Sequence, residues 1–196
     1  MGKLKVGDLV HIGVFSALYF VCLSAGTLLG VLLIPGGTHI FAPSFAALLS
    51  GVVYMFLVTK VKKFGAISIL GIILALFYFA SGHFGPTFLA SLIFGFLADF
   101  VAKKGNYLND KWNLLSYFVF SLGNLGPILP MWFMKEAYIQ SLVERGKDSS
   151  YITNILTSFE WPVITAVLVS LLVFSVIGGV FGQKMMKKHF SKAGLV

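Results

Sequence analysis

Charged residues are scarce in this chain. They make up 11% of its 196 residues, whereas 58% are hydrophobic and 20 are phenylalanine. Because ordinary soluble domains carry roughly a quarter charged residues, this composition excludes such a domain and indicates an integral membrane protein. Cysteine is also nearly absent: Cys22, the single one, lies in an apolar segment. An internal disulfide and a thiol-rich metal site are therefore excluded.

Catalytic motifs are missing as well. The sequence contains no G-x-x-x-x-G-K-[ST] phosphate loop, no H-E-x-x-H and no G-x-S-x-G, so the chain cannot itself hydrolyse ATP and is predicted not to be an enzyme. A proton relay or coupling-ion site would need acids near the bilayer midplane. Asp99 is the one acid inside a predicted membrane helix, near its end. With Lys103 four residues onward, we expect an ordinary i, i+4 ion pair.

Six apolar segments define the predicted architecture. Each is close to the roughly 17–25 residues that cross a bilayer as a helix. The prediction is an all-α, polytopic membrane protein with six transmembrane helices, in which residues 1–196 form a single integral membrane domain. The first segment is too long for a perpendicular crossing, so it must either tilt or break, and we expect a break near residues 24–27. The segments are 9–34, 43–59, 64–80, 85–102, 112–134 and 161–182.

Basic residues predict the orientation of these helices. Twelve of the 15 fall at the N-terminus, in the second and fourth connections and at the C-terminus. The positive-inside rule then places both termini in the cytoplasm. We expect the chain to cross the plasma membrane of a bacterium several times. The formal charge of +8 is not interpreted as a nucleic-acid footprint, because the lysines form short clusters between apolar segments.

The fifth segment carries an unusual run of residues, 123–138. It contains two glycines, two prolines and the amide of Asn124 where a membrane helix gains most from unbroken backbone pairing. We interpret it as a bent helix lining a cavity, or alternatively as a proline-kinked helix whose Asn124 bonds to a neighbouring helix. The polar stretch that follows, 135–160, is predicted to form a short interfacial helix and a loop that caps a pocket.

Polar and indole side chains gather at the predicted outer boundary of the membrane. They include turn histidines, which are commonly only solvated, and tryptophans, which are common interface anchors. Together they predict a pocket that stacks a flat heteroaromatic ring and hydrogen-bonds its edge, with the loop around His39 as a lid. The candidate substrate-binding residues are His39, His83, Asn124, Trp132, Glu136, Glu160 and Trp161.

Small residues on the first segment predict a helix contact. Gly13 and Ala17 are four residues apart and Val21 follows one turn later, so a groove is cleared on one helix face. The groove serves either a partner protein or packing within the chain. Residues 47 and 51 repeat the small-residue spacing in the second segment.

Across its whole length the chain resembles the substrate-binding S components of energy-coupling factor (ECF) vitamin transporters. The resemblance rests on six apolar segments, cytoplasmic termini, no nucleotide site, polar and aromatic outer loops, and small residues early in the first helix. That family's A-x-x-x-A motif corresponds to Gly13 and Ala17 here, with glycine in the first position. The G-N-L-G-P run and the Gly- and Phe-rich texture most resemble the hydroxymethylpyrimidine or pyridoxine type of lactic acid bacteria.

The resemblance implies a chain that binds a vitamin or vitamin precursor with high affinity and delivers it by docking on a shared module. That module consists of a transmembrane coupling protein and two ATPase subunits, so ATP is used by partner subunits and no cofactor is expected in this chain. The implied partners are the module, the lipid bilayer and the small-molecule substrate, with no nucleic acid. Two alternatives are a small secondary transporter and an intramembrane enzyme, each lacking its expected residues.

Overall fold

The computed structural model describes residues 2–34, 39–156 and 160–190. These residues form α-helices joined by turns, with no strand among them, which confirms the all-α prediction. A 3-10 turn precedes α2, another follows α5, and a short π-helix extends α9. The helices are α1 Val6–Leu33, α2 Ala42–Val61, α3 Ala66–Ala80, α4 Thr87–Lys104, α5 Asp110–Leu122, α6 Leu129–Phe133, α7 Lys135–Glu144, α8 Ser149–Leu156 and α9 Trp161–Met185.

The six longest helices are arranged as a ring. Neighbours around it follow the order α1, α2, α9, α5, α4 and α3, and α3 returns to α1. Helix α2 also contacts α3 and α5 across the ring, and 12 of its 20 residues are buried. The polar ends of the ring differ in charge. We call the end that carries Lys62, Lys104 and Lys187 the lysine-rich end, and the end that carries Trp132 and Trp161 the tryptophan end.

Glycines set the spacing between α2 and α9. A Cβ built on Gly51 would lie 2.2 Å from the carbonyl oxygen of Gly178, and one built on Gly182 would lie 2.6 Å from the carbonyl oxygen of Gly51. No larger side chain fits at such distances, so the backbones touch directly. The small-residue spacing at positions 47 and 51 therefore reflects packing within the chain.

The predicted break in the first segment is wrong. Helix α1 runs without interruption for 28 residues, about 42 Å, from Val6 to Leu33. At the expected break the Thr27 hydroxyl donates to the carbonyl of Leu23 at 2.9 Å, and Gly26 presses on α2, where its Cβ would lie 2.4 Å from the Ala46 nitrogen. Helix α1 thus stays continuous where it packs on α2 through this glycine.

The fifth segment bends, as predicted. Helix α5 ends at Leu122, a 3-10 turn covers Gly123–Leu125, and α6 begins at Leu129. Pro127 and Pro130 lack the N–H that a continuous helix needs. At Gly126 the backbone passes so close to α4 that a Cβ would lie 2.5 Å from the Thr87 carbonyl oxygen. The stretch 135–160 contains the expected helix as α7, and a second helix, α8, lies where a loop was predicted.

Three described helical stretches are long and apolar enough to cross a membrane. They are Val6–Leu33, His39–Val61 and Trp161–Lys188, and the shorter apolar helix Ala66–Ala80 accompanies them. Apolar side chains also cover much of the outer surface: Leu32, for example, is 69% exposed. An apolar exterior of this kind is what a lipid-facing helix presents, and it fits the composition of the chain.

The expected ion pair of Asp99 with Lys103 is not formed. The Asp99 side chain is fully buried, and its Oδ2 accepts hydrogen bonds from the Gly65 nitrogen at 2.8 Å and from the Ser68 hydroxyl at 2.8 Å. The Ser68 backbone nitrogen adds a third bond at 2.9 Å, and the Tyr107 hydroxyl donates to Oδ1 at 2.8 Å. Lys103 instead lies over the Phe64 ring. The ion pair was expected because Lys103 follows Asp99 by four residues on α4. In the structure, the start of α3 supplies donors to Asp99 instead.

Candidate functional site

Two of the predicted site residues line one groove at the tryptophan end. Trp132 of α6 and Trp161 of α9 face a space of ≈ 300 Å³ together with Phe133, Lys135 and Ile164. Trp161 is 79% exposed and Phe133 is 81% exposed. Two indoles, a phenyl ring and one ammonium thus line this groove, and such groups suit a ligand that offers a flat face and an acceptor group.

Asn124 lies deeper and is already paired. Its side chain is 2% exposed, and its Nδ2 donates to the Tyr19 hydroxyl oxygen of α1 at 3.1 Å. The Tyr19 ring is fully buried and meets Phe120 edge to face at 5.5 Å. Sequence reasoning missed Tyr19, although a tyrosine in the middle of an apolar helix signals a buried hydroxyl that needs a partner. The pairing matches the alternative in which Asn124 joins two helices.

An apolar layer separates this pair from the tryptophan groove. Leu125, Ile128 and Met131 are buried there against Leu171, and Trp132 packs on the same cluster. The structure therefore does not bring Asn124 and the two tryptophans into one open cavity. A ligand in the groove would reach the Asn124 amide only after this layer moved.

Further polar contacts continue from Asn124 toward the lysine-rich end. The Ser50 hydroxyl oxygen lies 3.0 Å from the Tyr117 hydroxyl oxygen. The Tyr117 hydroxyl donates to the Ala47 carbonyl. One turn on, the Tyr54 and Ser116 hydroxyls are 2.6 Å apart. Each hydroxyl is buried and bonded, so these groups join α2 to α5 at little desolvation cost.

His83 occupies the turn between α3 and α4. Its Nδ1 is 2.7 Å from the Ser81 hydroxyl, and its ring meets Tyr78 edge to face at 5.3 Å. The pKa of His83 is lowered below its ordinary value of 6.5, mainly by partial burial and to a smaller extent by the charge of Arg145. The imidazole is therefore neutral at neutral pH, and a neutral imidazole both donates and accepts hydrogen bonds.

The turn that carries His83 also contacts the helices that follow the bend. The Phe84 ring lies edge to face with Tyr138 of α7 at 5.8 Å. Burial raises the pKa of Tyr138 above its usual range. The α3–α4 turn and α7 therefore meet at the tryptophan end through aromatic rings.

Like Trp161, three further predicted site residues are exposed and lie apart from the buried layer. His39 begins the 3-10 turn before α2, Glu136 lies in the first turn of α7, and Glu160 precedes α9. The predicted lid includes residues 35–38, which lie outside the described residues. Glu136 directly follows Lys135 of the groove, and Glu160 directly precedes Trp161.

The small residues of α1 face outward. Gly13, Ala17 and Val21 are exposed, and a Cβ on Gly13 would meet nothing within 4 Å. The opposite face of α1, with Ile12, Phe15 and Tyr19, is buried. The stripe is therefore not used for packing among the described residues.

Metal chemistry has no evident centre in the described part of the chain, where no group of three or more His, Cys, Asp or Glu side chains converges.

Comparison with known proteins gives a family and nothing finer. A family model described as a hypothetical bacterial integral membrane protein, Trep_Strep, matches residues 6–192. No curated protein matches the chain. No solved structure matches it either.

Proposed function

We propose that this chain, which belongs to the Trep_Strep family of bacterial integral membrane proteins, is the substrate-binding S component of an ECF-type importer. Its substrate is a small vitamin or vitamin precursor of the hydroxymethylpyrimidine or pyridoxine kind. The chain binds it outside and docks on a coupling protein, while two ATPase subunits supply the energy. It is not an enzyme and carries no cofactor.

The proposal includes six crossings of the plasma membrane with both termini in the cytoplasm. Helices α1, α2, α3, α4 and α9 supply five of them, and α5 with the bend and α6 supplies the other. Helix α4 has 18 residues, about 27 Å, close to the roughly 30 Å thickness of the hydrocarbon core. The concentration of lysines at one end of the ring supports this orientation.

The observation that carries the proposal is the outward-facing stripe of Gly13, Ala17 and Val21. Internal packing would have buried it, as it buries Gly26 and Gly30 on the same helix. In lipid, helices associate through small residues that allow close backbone approach. An exposed small-residue groove on a peripheral helix therefore suits a partner helix, which the coupling protein supplies.

The tryptophan groove is the proposed entry point for substrate. A pyrimidine or pyridine ring would stack between Trp132 and Trp161, while Glu136 and Glu160 offer acceptors at its rim. His39 and His83 lie farther along the same end. Asn124 becomes a ligand partner if the apolar layer above it opens and Tyr19 releases it.

A secondary transporter receives less support. It would need an acid with free oxygens to take a coupling ion. Asp99, the buried acid of α4, already accepts four hydrogen bonds and lies near the lysine-rich end.

The test is assembly with a bacterial ECF module. We expect the double variant Gly13→Leu with Ala17→Leu to lose co-purification with the coupling protein and ATPases while keeping its own fold. Val169→Leu with Val173→Leu is the matched control, because these side chains are also exposed but lie on α9. Normal assembly of the Gly13 and Ala17 variant, or no assembly by the wild type, would contradict the proposal.

A further inference from the structure

A second cavity lies at the lysine-rich end, at the opposite end of the ring from the tryptophan groove. It measures ≈ 330 Å³ and lies between the last turns of α2 and α9 and the first turn of α5. Its lining combines apolar, amide and ammonium groups. Among the lining residues are Met55, Lys62, Asn113, Gln183, Met186 and Lys187.

Asn113 gives this cavity an unused acceptor. Its side chain is 2% exposed, and its Nδ2 donates to the Tyr107 carbonyl at 3.1 Å. Because a carbonyl can only accept, this bond fixes which way the amide points. The Oδ1 is then left buried without a hydrogen-bond partner among the described residues. Buried acceptors are rarely left unpaired, so a donor from a ligand would complete the site.

Neighbouring polar groups of the cavity already form a hydrogen bond or an ion pair. The Gln183 Nε2 donates to the Asp110 carbonyl at 2.6 Å, and the Asp110 carboxylate is paired with Lys187. Two lysines line the cavity against this one carboxylate, so its net charge is positive. Lys62 ends α2 in the left-handed region at φ 53°, with an exposed side chain. A ligand here meets excess positive charge and one buried acceptor.

The apolar part of the lining bears on the chemical class of the ligand. Met55 and Met186 are buried at the back of the cavity, and Leu108 is 68% exposed beside it. The cavity also lies where two membrane-capable helices, α2 and α9, reach their last turns. Basic pockets between membrane helices at this depth are suited to anionic headgroups.

We propose that this cavity binds a glycerophosphate ester. The phosphate contacts Lys62 and Lys187, and a glycerol hydroxyl donates to the Asn113 Oδ1. The methionines contact the carbon skeleton. Such a group is presented by a phosphatidylglycerol lipid or by a free glycerol phosphate. The site requires neither vitamin binding nor docking on a coupling protein.

Native mass spectrometry of the detergent-purified full chain tests the assignment. The probes are phosphatidylglycerol, phosphatidylmethanol of the same acyl chains, and free sn-glycerol 1-phosphate. Phosphatidylmethanol keeps the phosphate charge but has no hydroxyl to donate. We therefore expect it to bind at least about fivefold more weakly than phosphatidylglycerol. Binding by phosphatidylglycerol alone would assign a lipid ligand, and comparable binding by free glycerol phosphate would assign a soluble ester.

A lysine pair checks the position of the site. We expect Lys62→Gln to weaken phosphatidylglycerol binding about fivefold, the effect of one basic residue near the membrane surface. Lys184→Gln is the matched control, since Lys184 is exposed on α9 but does not line the cavity. Equal binding of phosphatidylglycerol and phosphatidylmethanol would overturn the proposal. So would equal losses in the two lysine variants.

Discussion

The two ends of the helical ring are built differently. At the lysine-rich end, polar bonds connect separate elements. The buried Asp99 ties α4 to the start of α3 and to Tyr107 of the next linker, and the half-buried Lys63 and Asp8 form an ion pair at 2.6 Å. At the tryptophan end, the contacts between elements include apolar packing around Leu125 and Leu171 and ring contacts such as Phe84 with Tyr138. Directional hydrogen bonds fix the relative positions of the elements that they join, whereas ring contacts allow those elements to shift. The tryptophan end is therefore the end at which we propose that the vitamin substrate enters.

The largest expected effect is a difference in thiol labelling between the two ends, because we propose that they lie on opposite sides of the membrane. In a Cys22→Ser background, Lys104→Cys and Ser149→Cys place single thiols at exposed positions on the lysine-rich end and on α8. If the ends lie on opposite sides, a membrane-impermeant maleimide added to intact cells labels Ser149→Cys fully and leaves Lys104→Cys unlabelled until the cells are lysed. Labelling of both from the same side would refute the six-crossing topology.

The next effect concerns the stability of the lysine-rich end. Asp99→Leu removes the acceptor for Gly65, Ser68 and Tyr107, and we expect a loss of about 3 kcal/mol or more in unfolding free energy, since each unsatisfied buried donor costs roughly 1–3 kcal/mol. Thermal unfolding in detergent measures it. Glu136→Leu at the tryptophan end is the control and should stay within about 0.5 kcal/mol. Equal losses would remove the distinction between the ends.

The smallest effect is a titration at the tryptophan end. Because burial and Arg145 lower the pKa of His83, the unfolded chain binds the proton first, so stability falls slightly as the pH drops through 6.5. Arg145→Gln should raise the His83 pKa in an NMR titration yet leave it below 6.5, since burial is the larger cause. A His83 pKa at or above 6.5 in the wild type would show that the turn is open to water.

Local features of this chain could be predicted from sequence, and tertiary pairings could not. Pro127 and Pro130 mark the bend because proline lacks a donor wherever it occurs. The partner of Asn124, by contrast, is 105 residues away on α1. The same applies to Asp99, whose donors lie on another helix. For α1, the residues 24–27 looked like a break because their packing on α2 is invisible in the sequence.

Part of the candidate site could likewise be anticipated. Trp132 and Trp161 were expected at one boundary, and they line one groove because α6 and α9 end and begin there. The pairing of Asn124 with a neighbouring helix followed from the second interpretation of the fifth segment. The apolar layer between them did not, since the bend turns Leu125, Ile128 and Met131 inward.

Isothermal titration of the purified chain with hydroxymethylpyrimidine and with pyridoxine tests the central claim most directly. The account predicts that the wild type binds one of them and that Trp132→Ala weakens binding about tenfold or more, since an aromatic face is lost. Trp112→Ala, at the lysine-rich end beneath Lys104, should bind like the wild type once folding is confirmed. Binding of neither compound by the wild type, or wild-type affinity in Trp132→Ala, would contradict the account.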